Sequence, residues 1–210
     1  MLFGHTSPTC FGDIMKCALC DNKECYTGKD CPGLGEQSLA QYSEEDLRST
    51  RISTKLESRY YMKKTRLEEL IDYCSEMDYE KIGMVFCIGL QAEARTLHKI
   101  LQERFDVNSV CCKVCGIDKD VLGLERLWSK TGERTEAMCN PIGQAMVLNK
   151  AGTQLNIIVG LCIGHDILFT KHSQAPVTTF AVKDRVLAHN PLGAVYSGYY
   201  LKNVFSQKLK

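Results

Sequence analysis

The sequence predicts an α/β fold: a mostly parallel, Rossmann-like sheet flanked by helices, preceded by a small cysteine-rich module and a helical segment. Three observations predict it. Short apolar runs at Ile82–Cys87, Val107–Cys112, Leu155–Cys162 and Val177–Val182 alternate with amphipathic stretches, the pattern of parallel strands joined through helices. The stretch Asn140–Ala151 carries the punctuation of a helix: a capping Asn140, Pro141 in the first turn and Gly152 at the left-handed stop. Finally, Cys17, Cys20, Cys25 and Cys31 crowd into fifteen residues, spaced C-x2-C-x4-C-x5-C, in a segment too short to bury an apolar core.

Taken in order, residues Met1–Leu34 read as loop, with turn signals at Thr27-Gly28 and Pro32-Gly33. Ser43, with Asp46 three residues on, resembles a helix N-cap and its acidic partner, and the helical pattern runs on to Met77. Leu67, Leu70, Ile71 and Cys74 keep the spacing of one buried face, while Lys63, Lys64, Arg66, Glu68 and Glu69 make a solvated surface. Behind the first strand, Leu90, Ala94, Leu97, Leu101 and Phe105 form a helix face. Further helices are expected over Asp120–Trp128 and over Pro191–Phe205, the latter with Leu192, Val195, Tyr196 and Tyr199 on one side. The implied domains are a metal module over 1–35, a helical connector over 36–80 and the α/β domain over 81–210.

Composition narrows the function classes. The 210 residues carry a formal net charge of +1, with 44% hydrophobic and 24% charged residues, which gives no argument for nucleic acid or an anionic membrane surface. No stretch approaches the ~20 apolar residues of a membrane span, and the N-terminus lacks the basic start and apolar core of a secretion signal. The chain is therefore expected in the cytoplasm, where twelve cysteines favour metal over disulfide. Neither Gly-x-Gly-x-x-Gly nor Gly-x4-Gly-Lys-Ser/Thr occurs, so dinucleotide and P-loop binding have no motif support.

The N-terminal quartet predicts a metal site, because soft thiolates suit Zn, Cu(I) and Fe–S. Only Cys17 and Cys20 form the tight pair usual for zinc, and the Cys31-Pro32 step leans toward Fe–S, so both remain open. A second thiol set follows from the fold. Cys87 and Cys162 end strands, Cys112 or Cys115 ends the second strand, and Cys139 precedes a helix starting on that side of the sheet. The carboxyl ends of parallel strands line the ligand crevice, so Cys87, Cys115, Cys139 and Cys162 are expected to hold a second metal or cluster. His165, Asp166 and Lys183 are expected as acid–base groups or substrate contacts, with Arg185 and His189 nearby. Against these stand plainer readings: a free cysteine packs as a small hydrophobe, and turns collect polar residues. Cys10, Cys74 and one of Cys111 and Cys112 are expected to be structural, since adjacent strand residues face opposite ways.

The quartet, Phe86-Cys87-Ile88-Gly89-Leu90 with Glu93-Ala94, Cys111-Cys112-Lys113, Cys139-Asn140-Pro141, Gly160-Leu161-Cys162-Ile163-Gly164-His165-Asp166, Ala175-Pro176-Val177, Lys183-Asp184-Arg185 and His189-Asn190-Pro191 together resemble a family of uncharacterised prokaryotic proteins described as metal-binding. The resemblance spans Lys16 to about Tyr200. It implies metal ligation by the N-terminal cysteines and carries no activity to transfer.

The expected function is that of a metal- or Fe–S-dependent redox protein, the N-terminal site passing electrons to or from a partner and the crevice binding a small molecule. Two alternatives stand beside it. One is a non-catalytic binding protein stabilised by structural zinc. The other is a thiol- or metal-handling protein, which requires an accessible cysteine of lowered pKa.

Overall fold

The computed structural model describes residues 15–127 and 135–206; Cys10 and Trp128 lie outside them. The chain divides into two compact units, Met1–Thr54 and Lys55–Lys210.

In the first unit, single 3-10 turns at Cys17–Leu19 and Glu24–Thr27 precede helix α1 (Gly35–Leu39) and the start of α2 (Glu44–Tyr60). Local polar bonds shape this segment. The amides of Gly33, Leu34 and Gly35 all donate to the Asp30 carboxylate, at 2.9, 3.2 and 2.8 Å. Ser43 caps α2 reciprocally with Asp46, as its sequence predicts: the Asp46 amide donates to Ser43 Oγ, and the Ser43 amide donates back to the carboxylate. The one buried hydrophobic residue among the described residues of this unit is Ile52. The division between the units falls inside α2, away from the expected boundaries at 35 and 80.

The helical pattern expected to run unbroken to Met77 is interrupted. Met62 takes a left-handed backbone (φ 56°), and α3 (Arg66–Glu76) starts afresh at Thr65. Thr65 and Glu68 form a full capping box, a signal that the spacing of apolar residues alone passes over. Leu70 and Cys74 of α3 sit in the same buried cluster as the sheet, so this half of the expected connector is part of the α/β unit.

The sheet has four strands, β1 (Lys81–Phe86), β2 (Asp106–Cys111), β3 (Leu155–Val159) and β4 (Val177–Ala181), all parallel in the order β2-β1-β3-β4. Helix α4 (Gln91–Leu101) joins β1 to β2, α5 (Pro141–Ala151) leads into β3, and α6 (His165–His172) joins β3 to β4. This is the Rossmann-like α/β arrangement that the sequence predicts. From β1 the chain moves outward to β2, then returns past β1 to β3, so the strand order reverses between β1 and β3. Right-handed crossovers then put α4 and α6 on opposite faces. The core is the sheet's own apolar run, with Ile82, Met84, Val85, Ile157, Ile158 and Val159 packed with Leu101, Leu148 and Phe169. Within it Gly83 leaves room for a neighbour: an added Cβ would stand 1.9 Å from Asn156 Oδ1 and 2.7 Å from Leu148 Cδ1.

Two helical expectations need correction, and one helix was not expected. Asp120–Trp128 yields only a 3-10 turn, Lys119–Leu122, closed by left-handed Gly123 (φ 63°). Beyond it Arg126 turns back to pair with Asp118 at 2.9 Å and Asp120 at 2.5 Å. Pro191–Phe205 breaks into α7 (Leu192–Tyr196) and a π-helical turn, Tyr200–Phe205; Ser197 is extended, and Gly198 beside it favours a break. Helix α6 has no counterpart in the sequence reading. Its adjacent Ile167, Leu168 and Phe169 blur the helical period, and only Phe169 is buried. No helix among the described residues is long and apolar enough to cross a membrane.

Candidate functional site

A thiol group is assembled outside the carboxyl ends of β1 and β2, next to the point where the strand order reverses between β1 and β3. Ligands bind at this position in open α/β sheets. Phe86 pairs with Cys111 across β1 and β2. The next residues, Cys87 and Cys112, therefore fall opposite each other, and the pairing continues through the Cys112 amide, which donates to the Phe86 carbonyl at 2.9 Å. Paired residues of parallel strands face the same way. The backbone then brings in a third thiol: the Asn140 amide donates to the Cys112 carbonyl at 2.8 Å. This sets Cys139 Sγ 3.9 Å from Cys112 Sγ.

Two polar side chains of α5 hold this geometry. Asn140 caps the helix, accepting from the Gly143 amide at 2.8 Å, which fixes the residue directly after Cys139. Fully buried Gln144 donates to the carbonyls of Val110, at 2.8 Å, and Phe86, at 3.4 Å. It thereby ties together the strand ends beneath Cys112 and Cys87.

The three thiols differ in protonation. Cys112, 2% exposed, is pushed far above the ordinary thiol range, because its proton is held in bonds to Cys139 and Cys87 and burial opposes its charge. Its two neighbours move down. Cys139 is lowered first by the Cys112 hydrogen bond and then by the nearby charges of Lys113 and His165. Cys87 is lowered first by Cys112, then by the Gly89 amide and the charges of Lys183 and Arg185. The Ile88 amide adds a 3.4 Å bond to Cys112 Sγ.

Around the trio lie most of the expected site residues. Cys162, half-buried just beyond β3, accepts from the Arg185 guanidinium at 3.0 Å. The amides of His165 and Asp166, at the start of α6, donate back to the Cys162 carbonyl at 2.9 and 3.2 Å. Asp166 Oδ1 accepts from the Ile167 amide at 2.8 Å. Lys183 Nζ stands 2.9 Å from where a Cβ on Gly89 would be, so glycine there leaves the ammonium its place over the β1–α4 turn. Asp184 and His189 brace the following loop. The Asp184 carboxylate accepts from the amides of Val186 and Leu187, and His189 Nδ1 accepts from the Asp184 amide at 3.1 Å.

One expected member is corrected. Cys115 is exposed and left-handed (φ 71°) in the turn after β2, and Cys112 takes the place expected for it. The register decides this, since Cys112 continues the ladder and Cys115 lies beyond it. Cys111 is half-buried on the other side of the strand. Cys74 sits alone in the core, its thiol pushed up to about 12 by burial. Lys113, which bonds the Ala137 carbonyl at 2.6 Å, and Gln144 went unread in the sequence. Lys113 is adjacent to a strand-end cysteine, but Gln144 is visible only as a polar residue on a buried helix face.

Of the N-terminal quartet, Cys17 and Cys25 are exposed, and Cys20 and Cys31 are half-buried. Lys23 bonds the Cys17 carbonyl, and the amides of Cys20 and Gly28 close the two turns. The donor chemistry fits a soft ion, and among the described residues of 15–43 nothing is buried. Among the described residues, no three His, Cys, Asp or Glu side chains are gathered as ligands.

Residues 26–180 match a family described as "protein of unknown function (DUF1847)", a span that takes in Cys31, the crevice thiols and His165. An uncharacterised protein of Methanocaldococcus jannaschii, MJ0455, is 59% identical over 196 residues, covering 92% of this chain and all of that protein. No solved structure matches the chain. By the extent of the first match and the identity of the second, the chain belongs to the DUF1847 family of proteins of unknown function.

Proposed function

We propose that this is a metal-linked thiol redox protein whose working centre is the crevice trio Cys87, Cys112 and Cys139. The carrying observation is the 3.9 Å approach of Cys112 and Cys139. Closing the pair would bring the sulfur atoms from 3.9 Å to the ~2.05 Å of a disulfide. One partner is half-buried and of lowered pKa, the other buried and protonated, which suits an attacking and a resolving thiol. The crevice thus exchanges two electrons by cycling between dithiol and disulfide.

Cys17, Cys20, Cys25 and Cys31 would hold the metal, and a cluster there would supply electrons one at a time. What supports this is the donor set together with the lack of buried residues among the described part of 15–43, which leaves the segment without a core of its own. A structural zinc at the same cysteines is the alternative for that module alone.

The test of the crevice is oxidation of the reduced protein with the neutral oxidant diamide, followed by peptide mapping. A Cys112–Cys139 disulfide that dithiothreitol reverses is expected. Recovery of both as free thiols overturns the reading. For the N-terminal module, protein purified without oxygen is analysed for iron, zinc and sulfide. Visible colour with iron and sulfide supports a cluster, and colourless protein with zinc supports the structural alternative.

A further inference from the structure

The trio is surrounded by cationic side chains to a degree that the sheet does not require. Lys183 Nζ lies over the turn after Cys87, 2.9 Å from where a Cβ on Gly89 would be. The Arg185 guanidinium bonds Cys162 Sγ at 3.0 Å, and Lys113 bonds the Ala137 carbonyl two residues before Cys139 at 2.6 Å. The two carboxylates beside them are committed locally. Asp184 accepts two amides of its own loop, and Asp166 accepts the next amide of α6. The cysteines also differ in exposure: Cys139 and Cys162 are half-buried, Cys87 is 7% exposed and Cys112 is 2% exposed. An incoming molecule therefore meets Cys139 and Cys162 before the other two, with Arg185 bonded to Cys162 and Lys183 over the turn after Cys87. Of these two accessible thiols only Cys139 has Cys112 Sγ within 3.9 Å.

Building on the dithiol reading above, we infer that the crevice takes a small anionic disulfide, bound through Lys183 and Arg185, and that Cys139 attacks it while Cys112 resolves the product. The Cys139 thiolate attacks one sulfur of R–S–S–R. A Cys139–S–S–R bond forms, and the first RS− leaves and takes up a proton from water. Cys112 then gives up its proton and attacks Cys139 Sγ. The Cys112–Cys139 disulfide forms as the second R–S− departs, taking one proton. The substrate disulfide gains two electrons and becomes two thiols, and the protein dithiol loses two.

The experiment compares the rate at which the Cys112–Cys139 disulfide appears when the reduced full-length protein meets oxidised glutathione, cystamine or 2-hydroxyethyl disulfide. These probes are anionic, cationic and neutral. Each rate is divided by that of free cysteine with the same probe, which removes intrinsic reactivity. Oxidised glutathione is expected to lead cystamine by about tenfold or more at low salt, a lead that shrinks as salt screens it. The exposed substitution Arg185→Gln should cut the lead severalfold without disturbing the fold. In Cys112→Ser, glutathione should remain trapped on Cys139; should that variant not fold, Cys139→Ser must leave Cys112 unmodified by oxidised glutathione. Equal normalised rates for the three probes, or trapping on Cys87 or Cys162, overturn the inference. Diamide separates the substrate class from the dithiol chemistry beneath it. If diamide closes the pair and the probes show no charge preference, only the substrate class fails. If diamide leaves the pair open, the dithiol reading fails with it.

Discussion

The two cysteine groups of this chain come together by opposite routes. Cys17, Cys20, Cys25 and Cys31 are neighbours in sequence, and the described residues around them bury nothing before Ile52. Cys87, Cys112 and Cys139 come from three separate segments and meet only because β1 and β2 pair in one register and the Asn140 amide closes on the Cys112 carbonyl. The first group has no buried residue around it among the described residues of 15–43. The second is held by one of the most deeply buried parts of the molecule. The proposed function accordingly assigns the same side chain different chemistry in each place: a ligand where the chain is short of contacts, a positioned nucleophile where contacts are plentiful.

Damage to the sheet breaks this comparison most strongly. Leu148→Ala removes a fully buried side chain packed with the strands and should cost about 2–5 kcal/mol, read from denaturant unfolding followed by circular dichroism. The crevice thiols should lose their selective reactivity with it. Cys25 is exposed and Cys31 is half-buried. Replacing them together by Ser should leave unfolding of the α/β unit within about 0.5 kcal/mol, as expected of positions away from a core. On the proposed function it should also abolish metal binding, read by metal analysis. A large fall in the stability of the α/β unit on that double substitution would show that the two groups are not independent.

Thiol reactivity sharpens the contrast within the α/β unit. Cys139 has a lowered pKa and Cys74 a value pushed up to about 12. A thiolate with a lowered pKa persists as the pH falls and is lost only as the pH passes through that lowered value. An ordinary thiol is almost wholly protonated at pH 6, whereas one of lowered pKa keeps a larger share of thiolate there. Iodoacetamide at pH 6 should therefore label Cys139 about tenfold faster than an ordinary thiol, since the thiolate is the nucleophile. Cys74 should resist until the protein unfolds. Lys113→Gln removes one of the charges that favour the Cys139 thiolate, so the midpoint of its labelling profile should move to higher pH. An unmoved midpoint would remove Lys113 as a cause and leave the Cys112 hydrogen bond and His165.

How much of this was legible follows from range in sequence. The helix at Pro141–Ala151 formed where Asn140, Pro141 and Gly152 mark its ends, because its signals are all local. All four strands lie where the apolar runs predict. The identity of the second strand's thiol was not legible: choosing Cys112 over Cys115 requires the pairing of Phe86 with Cys111, a contact between residues twenty-five apart in the chain. Gln144 is harder still. Its role is to donate to the carbonyls of two strand ends, and nothing in its own neighbourhood announces that.

The smallest effect compares the same local device in the two units. Ser43 with Asp46 caps α2, and Thr65 with Glu68 caps α3, through the same reciprocal bonds. Replacing either hydroxyl residue by Ala should cost its helix about 1 kcal/mol. Helix α3 carries Leu70 and Cys74 into the core, so Thr65→Ala should lower the melting temperature of the α/β unit by about 2–4 °C. The first turn of α2 is exposed, so Ser43→Ala should leave that temperature unchanged and speed amide exchange at Asp46, the amide that loses its hydroxyl acceptor. Both partner carboxylates are held below their ordinary pKa, Glu68 first by the Thr65 amide and Asp46 first by the Ser43 hydroxyl. The reciprocal bonds are therefore complete above the ordinary carboxylate range and are lost as the pH falls through the lowered folded values. The difference between Thr65→Ala and the parent protein should accordingly be full at pH 7 and shrink toward pH 2. A Ser43→Ala chain that melted as low as Thr65→Ala would mean that the start of α2 is coupled to the sheet as tightly as α3 is.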